Sequence, residues 1–291
     1  MERYQLKQMQ ALPLEIKIQK TNLRIKEWYE HYDGDVYVSF SGGKDSTVLL
    51  HLVRKLYPDV VAVFSDTGLE FPEIREFVKN IENVEWLKPA KNFKDVINEY
   101  GYPIISKEVA DCIYGARKGQ PYRTKRIDGS MKGSRYDASK YAYLMDAPFK
   151  IAQNCCYYMK KKPFKDYEKK SGKKPIVGTM ACESQLRTSS YLKSGCNAFN
   201  SKRPMSKPIS FWTEKDIWGY MKKFNVNYSK IYDMGYQRTG CVFCGFGCHL
   251  EKEPNRFQLL KKTHPKLFDY CMGETGLGMK KVLDFIGVDN S

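Results

Sequence analysis

The segment Ser41-Gly42-Gly43-Lys44-Asp45-Ser46-Thr47 constrains the fold more than any other feature of the sequence. The apolar run before it, Val36 to Phe40, is typical of a buried strand, and apolar residues recur at helical spacing from Val48 to Leu56 after it. A glycine pair between a strand and a helix lets backbone N–H groups converge on a phosphate, while the helix N-terminus and the lysine add positive charge. The segment therefore predicts a phosphate-binding loop.

Strand and helix patterns continue to alternate along the chain. Two further apolar runs, Val60 to Phe64 and Val84 to Leu87, are each followed by a helical pattern, and Pro175 to Thr179 is typical of another strand. This alternation predicts an α/β fold, with a Rossmann-like parallel sheet flanked by helices and a ligand at the carboxyl ends of the strands. The glycine loop and Asp66 both fall at that edge.

Three segments are expected along the chain: a helical segment at residues 1–30, a nucleotide-binding α/β domain at residues 31–225, and a small Cys-containing helical extension at residues 226–291 that packs on the main domain. Residues 117–140 are rich in Gly, Ser, Arg and Lys and show little apolar periodicity. They predict a mobile basic loop that closes over an anionic substrate, or a disordered connection.

Composition narrows the cellular setting. No apolar run is long enough to span a bilayer and the start lacks the apolar region of a signal peptide, so we expect a cytoplasmic protein with no membrane partner. Nine cysteines in a reducing compartment favour metal binding or catalysis over disulfides. The net charge of +16 favours anionic partners, with a solvated lysine-rich surface as the alternative. We also expect a homo-oligomer.

The glycine loop is not a Walker A motif, because that motif needs a glycine where Val38 stands. Ser-Gly-Gly-Lys-Asp-Ser after a strand instead resembles the pyrophosphate loop of the adenine nucleotide α-hydrolase superfamily, whose members split ATP between the α- and β-phosphates. The resemblance implies that ATP binds here with Mg²⁺ and that Asp45 orients the loop or the metal ion. The residues implied to bind the nucleotide here are Ser41, Gly42, Gly43, Lys44, Asp45, Ser46 and Thr47.

Within that superfamily, Asp66-Thr67-Gly68 and the segment Gly178 to Arg187 look most like the phosphoadenylylsulfate reductase family and the related ATP sulfurylases. The resemblance implies that Asp66 and Gly178 line the nucleotide, that Arg187 neutralises phosphate or sulfate, and that Glu183 and Ser184 fix the loop. An ordinary surface salt bridge beside a strand end is the alternative. The predicted catalytic residues are Lys44, Asp45, Asp66 and Arg187.

The cysteines form two separated groups, Cys155-Cys156 and Cys241-x2-Cys244 with Cys248 nearby. Thiolates suit iron–sulfur clusters or zinc, and adjacent cysteines chelate a single zinc ion awkwardly, which favours a cluster. Adenylylsulfate reductases carry a [4Fe–4S] cluster on a similar pattern. That resemblance implies a cluster on Cys156, Cys241 and Cys244, with Cys155 or Cys248 as the fourth ligand; zinc and unligated thiols remain alternatives.

Three functions follow as hypotheses. The preferred one is ATP cleavage to AMP and pyrophosphate with adenylation of an acceptor, followed by iron–sulfur-dependent sulfur transfer. The acceptor would be anionic, with tRNA or DNA as candidates, and a sulfur or electron donor protein would take part. The second is reduction of adenylylsulfate or its 3′-phosphate to sulfite, which the intact lysine and the missing Glu-Cys-Gly-Leu-His tail oppose. The third is a non-catalytic nucleotide- or nucleic-acid-binding module.

Overall fold

The computed structural model describes residues 2–290, and thirteen α-helices and eight β-strands lie within them. The helices are α1 (Arg3–Ala11), α2 (Leu14–His31), α3 (Lys44–Leu56), α4 (Pro72–Lys79), α5 (Phe93–Glu99), α6 (Lys107–Ala116), α7 (Pro121–Ile127), α8 (Lys162–Ser171), α9 (Gln185–Ser194), α10 (Glu214–Phe224), α11 (Arg256–Thr263), α12 (Pro265–Met272) and α13 (Met279–Phe285). The strands are β1 (Val36–Phe40), β2 (Ala62–Ser65), β3 (Val84–Leu87), β4 (Ile104–Ile105), β5 (Lys174–Val177), β6 (Asn197–Ala198), β7 (Met205–Ser206) and β8 (Gly245–Phe246).

The chain folds into two compact units that interleave along the sequence. The first unit contains the residues up to Asp66, then Phe71–Lys88 and Phe164–Thr239. The second unit contains Thr67–Glu70, Pro89–Pro163 and the residues from Gly240 onward. The three segments expected from the sequence, with boundaries after residues 30 and 225, stay a prediction.

A six-stranded sheet organises the first unit, in the order β3-β2-β1-β5-β7-β6. The strands from β3 to β7 pair in parallel, and β6 pairs antiparallel with β7 at the edge. This mostly parallel sheet with flanking helices confirms the predicted Rossmann-like α/β fold. The antiparallel edge departs from the fully parallel expectation, because two-residue strands joined by a short connection can pair only in that direction.

Strand β1 is the central element of this sheet, and its residues Val36, Tyr37, Val38 and Phe40 are buried. It pairs with β2 on one side and with β5 on the other, so the order of connections reverses beside it. In open α/β sheets the ligand crevice lies at such a switch point, outside the carboxyl ends of the strands. Helix α3 starts directly after this end of β1 and packs its apolar side against the sheet.

The second unit is mainly helical, and its short strands β4 and β8 pair in parallel. Helices α5 to α7 and α11 to α13 belong to it, the last three following the cysteine-containing segment as the sequence predicts. Its core combines Ile104 and Ile105 of β4 with apolar residues of α6 and with Val282 of α13.

The basic segment at residues 117–140 is more ordered than the predicted mobile loop. It contains helix α7, which packs against α6, and Ile127 belongs to the core of the second unit. Arg126 is buried and forms an ion pair with Glu108, while its Nε donates to the carbonyl of Tyr136. A buried arginine supplies part of the packing here, so the apolar periodicity that would indicate a helix is weak.

Across residues 2–290, we find no helix that combines the length and the apolar character needed to cross a membrane.

Candidate functional site

The glycine loop between β1 and α3 has a backbone that side chains would obstruct. Gly42 has a φ of +70°, and a Cβ atom there would lie 2.8 Å from Cγ2 of Val78 and 2.9 Å from Cγ2 of Ile74. A Cβ on Gly43 would lie 2.6 Å from Oγ1 of Thr239. Both glycines are therefore needed for the close approach of the loop to its neighbours.

The hydroxyl groups of the loop hold its own backbone. Ser46 Oγ and Thr47 Oγ1 donate to the carbonyl of Gly43 at 2.9 and 3.0 Å, and the N–H of Ser41 donates to Ser46 Oγ at 3.2 Å. These bonds fix the turn into α3. That Ser41, Ser46 and Thr47 also contact a phosphate stays a prediction.

Helix α3 begins without a capping side chain, so its first N–H groups are available to an anion. One of them is engaged: the backbone N–H of Lys44 donates to the hydroxyl of Tyr232 at 2.8 Å. A phosphate on this helix end would compete with that hydroxyl. Tyr232 thus belongs to the candidate site, although it lies 188 residues from Lys44 in the sequence.

The side chain of Lys44 is buried, with 5% of the residue exposed. Its Nζ lies 3.3 Å from Oε1 of Glu214, donates to the carbonyl of Gln237 at 3.2 Å, and lies 5.4 Å from the centre of the Tyr232 ring. A single carboxylate at that distance, itself more than half exposed, balances the ammonium only partly. Lys44 is therefore a positive charge held at the head of α3.

Two buried carboxylate oxygens near the loop accept no hydrogen bond within residues 2–290: Oδ1 of Asp45 and Oδ1 of Asp66. Asp66 follows β2 and its other oxygen accepts from Arg75 at 2.9 Å, while Asp45 Oδ1 lies 3.9 Å from Nζ of Lys44. Buried carboxylates without partners are costly unless a cation or a donor satisfies them. Hard oxygen ligands of this kind suit Mg²⁺, so both residues fit the predicted metal ion.

Burial, with a smaller contribution from the charges of Glu183 and Glu214, raises the pKa of Asp45 to about 6 against the opposing effect of Lys44 and Arg187. The folded protein thus holds this proton more tightly than the unfolded chain does. The stability that the proton provides is complete below the ordinary aspartate pKa and is lost as the pH rises through about 6.

Asp45→Asn is accordingly expected to stabilise the nucleotide-free protein at high pH, because asparagine cannot ionise. Its unfolding free energy relative to the original protein should rise by up to ~3 kcal/mol between pH 4 and pH 7.5, at about 1.4 kcal/mol for each pKa unit. Urea unfolding without magnesium measures this difference. A difference that stays constant with pH would show that the carboxyl group of Asp45 does not titrate abnormally.

The segment from Gly178 to Arg187 follows β5 and lies beside the start of α3. A Cβ on Gly178 would sit 3.1 Å from Cα of Ser46, so this glycine allows the strand end to approach the helix. Ser184 caps α9 by accepting from the N–H of Arg187, and Glu183 both accepts from the N–H of Met180 and forms an ion pair with Arg187. The side chain of Arg187 is 43% exposed. That these residues bind nucleotide stays a prediction.

In the second unit, four cysteines from distant parts of the chain line one small cavity: Cys155, Cys156, Cys241 and Cys244. The remaining wall is largely apolar, with Leu69, Phe93, Pro103 and Met159, and includes Lys160. All nine cysteines of the chain are free thiols. Four thiols match the ligand number of an iron–sulfur cluster or of a zinc site.

Within residues 2–290, no three His, Cys, Asp or Glu side chains are grouped closely enough to hold one metal ion. A four-iron cluster binds each thiolate to a different iron atom, so its ligands can lie farther apart than those of a single ion. The chemistry of the donors and their convergence on one cavity therefore fit a cluster.

The thiols of this cavity influence one another electrostatically. The hydrogen bond between Cys155 and Cys156 raises the pKa of Cys155 and lowers that of Cys156 to about 6. Burial raises the pKa of Cys244 to about 11. The charge of Cys241 raises the pKa of Lys160, which keeps an ammonium group beside the sulfur atoms. A positive charge in this position would offset the negative charge of thiolate ligands.

Cys248 differs from the other four candidate ligands. It is buried, its Sγ donates to the carbonyl of Gly245 at 3.0 Å, and it does not belong to the lining of the cysteine cavity. Of the two candidates for the fourth ligand, the geometry favours Cys155.

Sequence patterns did not indicate three residues around Lys44: Glu214, Tyr232 and Gln237. Glu214 lies in a segment that the sequence correctly identifies as a capping box, formed by Thr213 and Asp216. Nothing in that local pattern indicates that its carboxylate reaches a lysine 170 positions away. Tyr232 and Gln237 lie in an irregular segment, where periodicity carries no signal.

Known proteins resemble this chain both in sequence and in structure. The sequence model of the phosphoadenosine phosphosulfate reductase domain matches residues 35–143 and 125–245. An uncharacterised protein of Methanocaldococcus jannaschii is 27% identical over 267 residues, which cover 87% of this chain and 51% of that protein. An adenosine 5′-phosphosulfate reductase of Staphylococcus epidermidis is 23% identical over 226 residues, covering 76% of this chain and 74% of the enzyme. The chain spans about half the length of the archaeal relatives it matches.

Two solved structures have a backbone similar to that of this chain. A phosphoadenylyl-sulfate reductase from Candida auris in complex with phosphate has a TM-score of 0.45 and 14% identity, over 83% of this chain and 96% of that one. The U34-tRNA thiolase NcsA from Methanococcus maripaludis, with its [4Fe–4S] cluster, has a TM-score of 0.40 and 15% identity, over 94% of this chain and 82% of that one.

The domain match extends from residue 35 to residue 245 and so includes the glycine loop, the segment Gly178 to Arg187, and both groups of cysteines that line the cavity. It covers well over half of the chain. This protein is a member of the phosphoadenosine phosphosulfate reductase family.

Proposed function

We propose that this protein is an ATP-dependent sulfur-transfer enzyme that activates its acceptor by adenylation. The observation that carries the proposal is the buried ammonium of Lys44 at the uncapped start of α3, with buried carboxylate oxygens on Asp45 and Asp66 that accept no hydrogen bond. This combination provides donors for a pyrophosphate leaving group and oxygen ligands for the metal ion that accompanies ATP.

In the first step, an oxygen atom of the acceptor attacks the α-phosphorus of ATP. The bond between the α-phosphorus and the bridging oxygen breaks, and that oxygen keeps the electron pair in the departing pyrophosphate. In the second step, a hydrosulfide-type sulfur of the donor attacks the acceptor carbon. The carbon–oxygen bond breaks, AMP leaves with the electron pair, and the acceptor carries sulfur where it carried oxygen. No net oxidation of the acceptor is required.

The residues of the loop would act on the leaving group. Negative charge develops on the bridging oxygen as pyrophosphate departs, and Lys44 with the N–H groups at the start of α3 would stabilise it. Asp45 and Asp66 would hold Mg²⁺, which supplies Lewis-acid polarisation of the phosphates when bound. Binding of that cation would also satisfy the oxygens of both carboxylates that accept no hydrogen bond.

Cys155, Cys156, Cys241 and Cys244 would hold a [4Fe–4S] cluster, which when bound supplies a thiophilic metal site for sulfur chemistry. Lys160 would offset the negative charge of this ligand set. The protein's excess of 16 positive charges favours an anionic acceptor such as tRNA or DNA. The sulfur or the electrons would come from a separate donor protein.

Sulfonucleotide reduction is the second candidate, and the 23% identity to an adenosine 5′-phosphosulfate reductase favours it. In that reaction a thiolate attacks the sulfur of the substrate and AMP leaves, which gives a thiosulfonate on the protein. A second thiolate then attacks the cysteine sulfur, sulfite leaves with the electron pair, and a disulfide remains. The candidate leaves a lysine-containing pyrophosphate loop without a role, because the substrate contains no β-phosphate.

An assay of both reactions on anaerobically purified protein distinguishes the candidates. If the protein transfers sulfur, incubation with ATP, Mg²⁺ and either tRNA or DNA should release AMP and pyrophosphate in equal amounts. This release should require the acceptor. With adenylylsulfate and a dithiol, reduction predicts sulfite. Release of ADP and phosphate, or release of sulfite without cleavage of ATP, would contradict the proposed function.

A further inference from the structure

The second unit contains another cavity, of about 280 Å³, which shares no residue with the cysteine cavity. This is close to the lower end of the range for small-molecule sites, about 300 Å³. Tyrosines and cations dominate its wall, and we call it the tyrosine–lysine cavity. The residues that define it here are Glu99, Tyr100, Tyr114, Arg117, Lys118 and Lys150.

The three cationic side chains that line the cavity donate hydrogen bonds to uncharged groups. Lys118 donates to the hydroxyl of Tyr114 at 2.6 Å, and Lys150 donates to the carbonyls of Asn98 and Glu99 at 3.1 and 3.3 Å. Arg117 donates to backbone carbonyls at 2.7 to 3.1 Å, which belong to Leu144, Met145, Ala147 and Phe149. Within residues 2–290, none of the three forms an ion pair with a carboxylate. Their positions are fixed while their charges stay available.

Nearby carboxylates do not neutralise this charge. Glu99 forms an ion pair with Lys91, and Asp146 acts electrostatically on Arg117. Asp95 also acts electrostatically on Lys91, so four cations lie near three carboxylates around the cavity. Anions are attracted to such a surface, and the cations at the carboxyl end of α6, Arg117 and Lys118, are also favoured there by the helix dipole.

Aromatic rings accompany the cations. Nζ of Lys118 lies 4.2 Å from the centre of the Tyr114 ring. The rings of Tyr100 and Tyr158 are stacked with centres 5.0 Å apart, and Nζ of Lys91 lies 5.6 and 5.3 Å from them. Rings beside cations are the combination that binds bases and phosphates of single-stranded nucleic acids.

Two backbone segments next to the cavity, around Gly101 and around Lys150, are closely packed and hydrogen-bonded to each other. Gly101 has a φ of +126°, and a Cβ there would lie 2.4 Å from the carbonyl carbon of Lys150. The N–H of Tyr102 donates to the carbonyl of Lys150 at 2.8 Å, and the N–H of Ala152 donates to that of Tyr102 at 3.1 Å. Tyr100 and Lys150 thus line the cavity from two segments that are hydrogen-bonded to each other.

We propose that the tyrosine–lysine cavity binds one nucleotide of a single-stranded nucleic acid, with the base against Tyr114 or Tyr100 and the phosphate beside Lys118 and Lys150. This inference rests on the proposed function, because it identifies the acceptor as a polynucleotide and places its docking surface in the second unit. Binding there needs no ATP, so it can be tested separately from turnover.

The test measures the fluorescence anisotropy of a labelled 15-nucleotide RNA, and of DNA of the same sequence, on binding to the anaerobically purified 291-residue chain at several salt concentrations. The cavity variant is Lys118→Gln with Lys150→Gln. The control variant is Lys79→Gln with Lys280→Gln, which removes the same charge from exposed lysines that pair with Glu76 and Asp284. A duplex serves as the competitor.

The single-stranded RNA, the single-stranded DNA or both should bind to the original protein and to the control variant. In the cavity variant the slope of log K against log salt should become shallower by about 0.7, since the cavity holds one phosphate and each phosphate contact to a single strand contributes about 0.7. Tyr114→Leu should weaken binding roughly tenfold through loss of stacking, and Tyr114→Phe should retain most of the affinity. The RNA and DNA arms identify the preferred sugar.

Equal losses in the cavity and control variants would show that general surface charge causes binding, and no binding by the original protein would equally overturn the proposal. If the duplex binds more tightly than the single strands, and if the cavity variant binds it as well as the original protein does, recognition takes place elsewhere on the protein. A protein that binds single strands at this cavity but releases no pyrophosphate contradicts the proposed function alone. Pyrophosphate release by the original protein with a small acceptor, without any binding of single strands, contradicts this inference alone.

Discussion

Lys44→Ala is expected to lower acceptor-dependent release of pyrophosphate by about 10²- to 10³-fold while the protein remains folded. Loss of one preorganised group that stabilises developing charge typically has an effect of this size. Lys44 is positioned for that role because it is buried at the start of α3, with the half-exposed Glu214 at 3.3 Å and Asp45 at 3.9 Å from its Nζ. Its ammonium is therefore more effective than a solvated one.

The expected kinetic signature separates this role from simple binding. Charge on the bridging oxygen appears mainly in the transition state, so kcat should fall far more than KM rises. A pyrophosphate release assay at saturating ATP and acceptor measures kcat, and a titration with ATP gives KM.

Lys55→Ala provides the matched control, since Lys55 lies at the exposed end of the same helix and contacts the ring of Phe224. This variant should retain the turnover of the original protein. Unchanged turnover in Lys44→Ala, or an equal loss in both variants, would be incompatible with the role assigned to Lys44.

Elements with strong local signals could be predicted from the sequence. Strands β1 and β3 begin and end at the predicted residues, because short runs rich in β-branched and aromatic residues, bounded by turns, indicate strands. Helix α4 begins at Pro72 as expected, since proline fits the first position of a helix. The capping box at Thr213 and Asp216 is also confirmed.

The remaining features depend on tertiary contacts. Helix α7 has few apolar residues, and its buried Arg126 is satisfied by Glu108 and by the carbonyl of Tyr136, which a periodicity analysis cannot detect. The hydroxyl of Tyr232 reaches the N–H of Lys44 across 188 residues. Local patterns indicate which segment binds phosphate, whereas the groups that surround it are determined by the fold.

The two groups of cysteines illustrate the same limit. Spacing alone left Cys155 and Cys248 as equal candidates for the fourth ligand. The structure brings Cys155 to the cavity lined by Cys156, Cys241 and Cys244, while Cys248 is bonded to a backbone carbonyl outside that lining. This difference provides a test within one short segment, because Cys244 and Cys248 are only four positions apart in the sequence.

Cys244→Ser is expected to abolish iron binding, whereas Cys248→Ser is expected to retain it. After anaerobic purification the original protein should contain about four iron atoms per chain and should absorb light at about 400 nm, as a [4Fe–4S] cluster on four thiolates does. A serine hydroxyl is a poor ligand for iron, so loss of one of four ligands should remove both signals.

Burying a hydroxyl could also destabilise the protein, and Cys271→Ser controls for that effect. Cys271 is fully buried in α12 and belongs to the same unit, yet it does not line the cysteine cavity. Circular dichroism should show that all three variants are folded, with iron lost from Cys244→Ser alone. Loss of iron from Cys248→Ser with retention in a Cys155→Ser variant would reverse the assignment of the fourth ligand, and stoichiometric zinc without iron in the original protein would exclude the cluster.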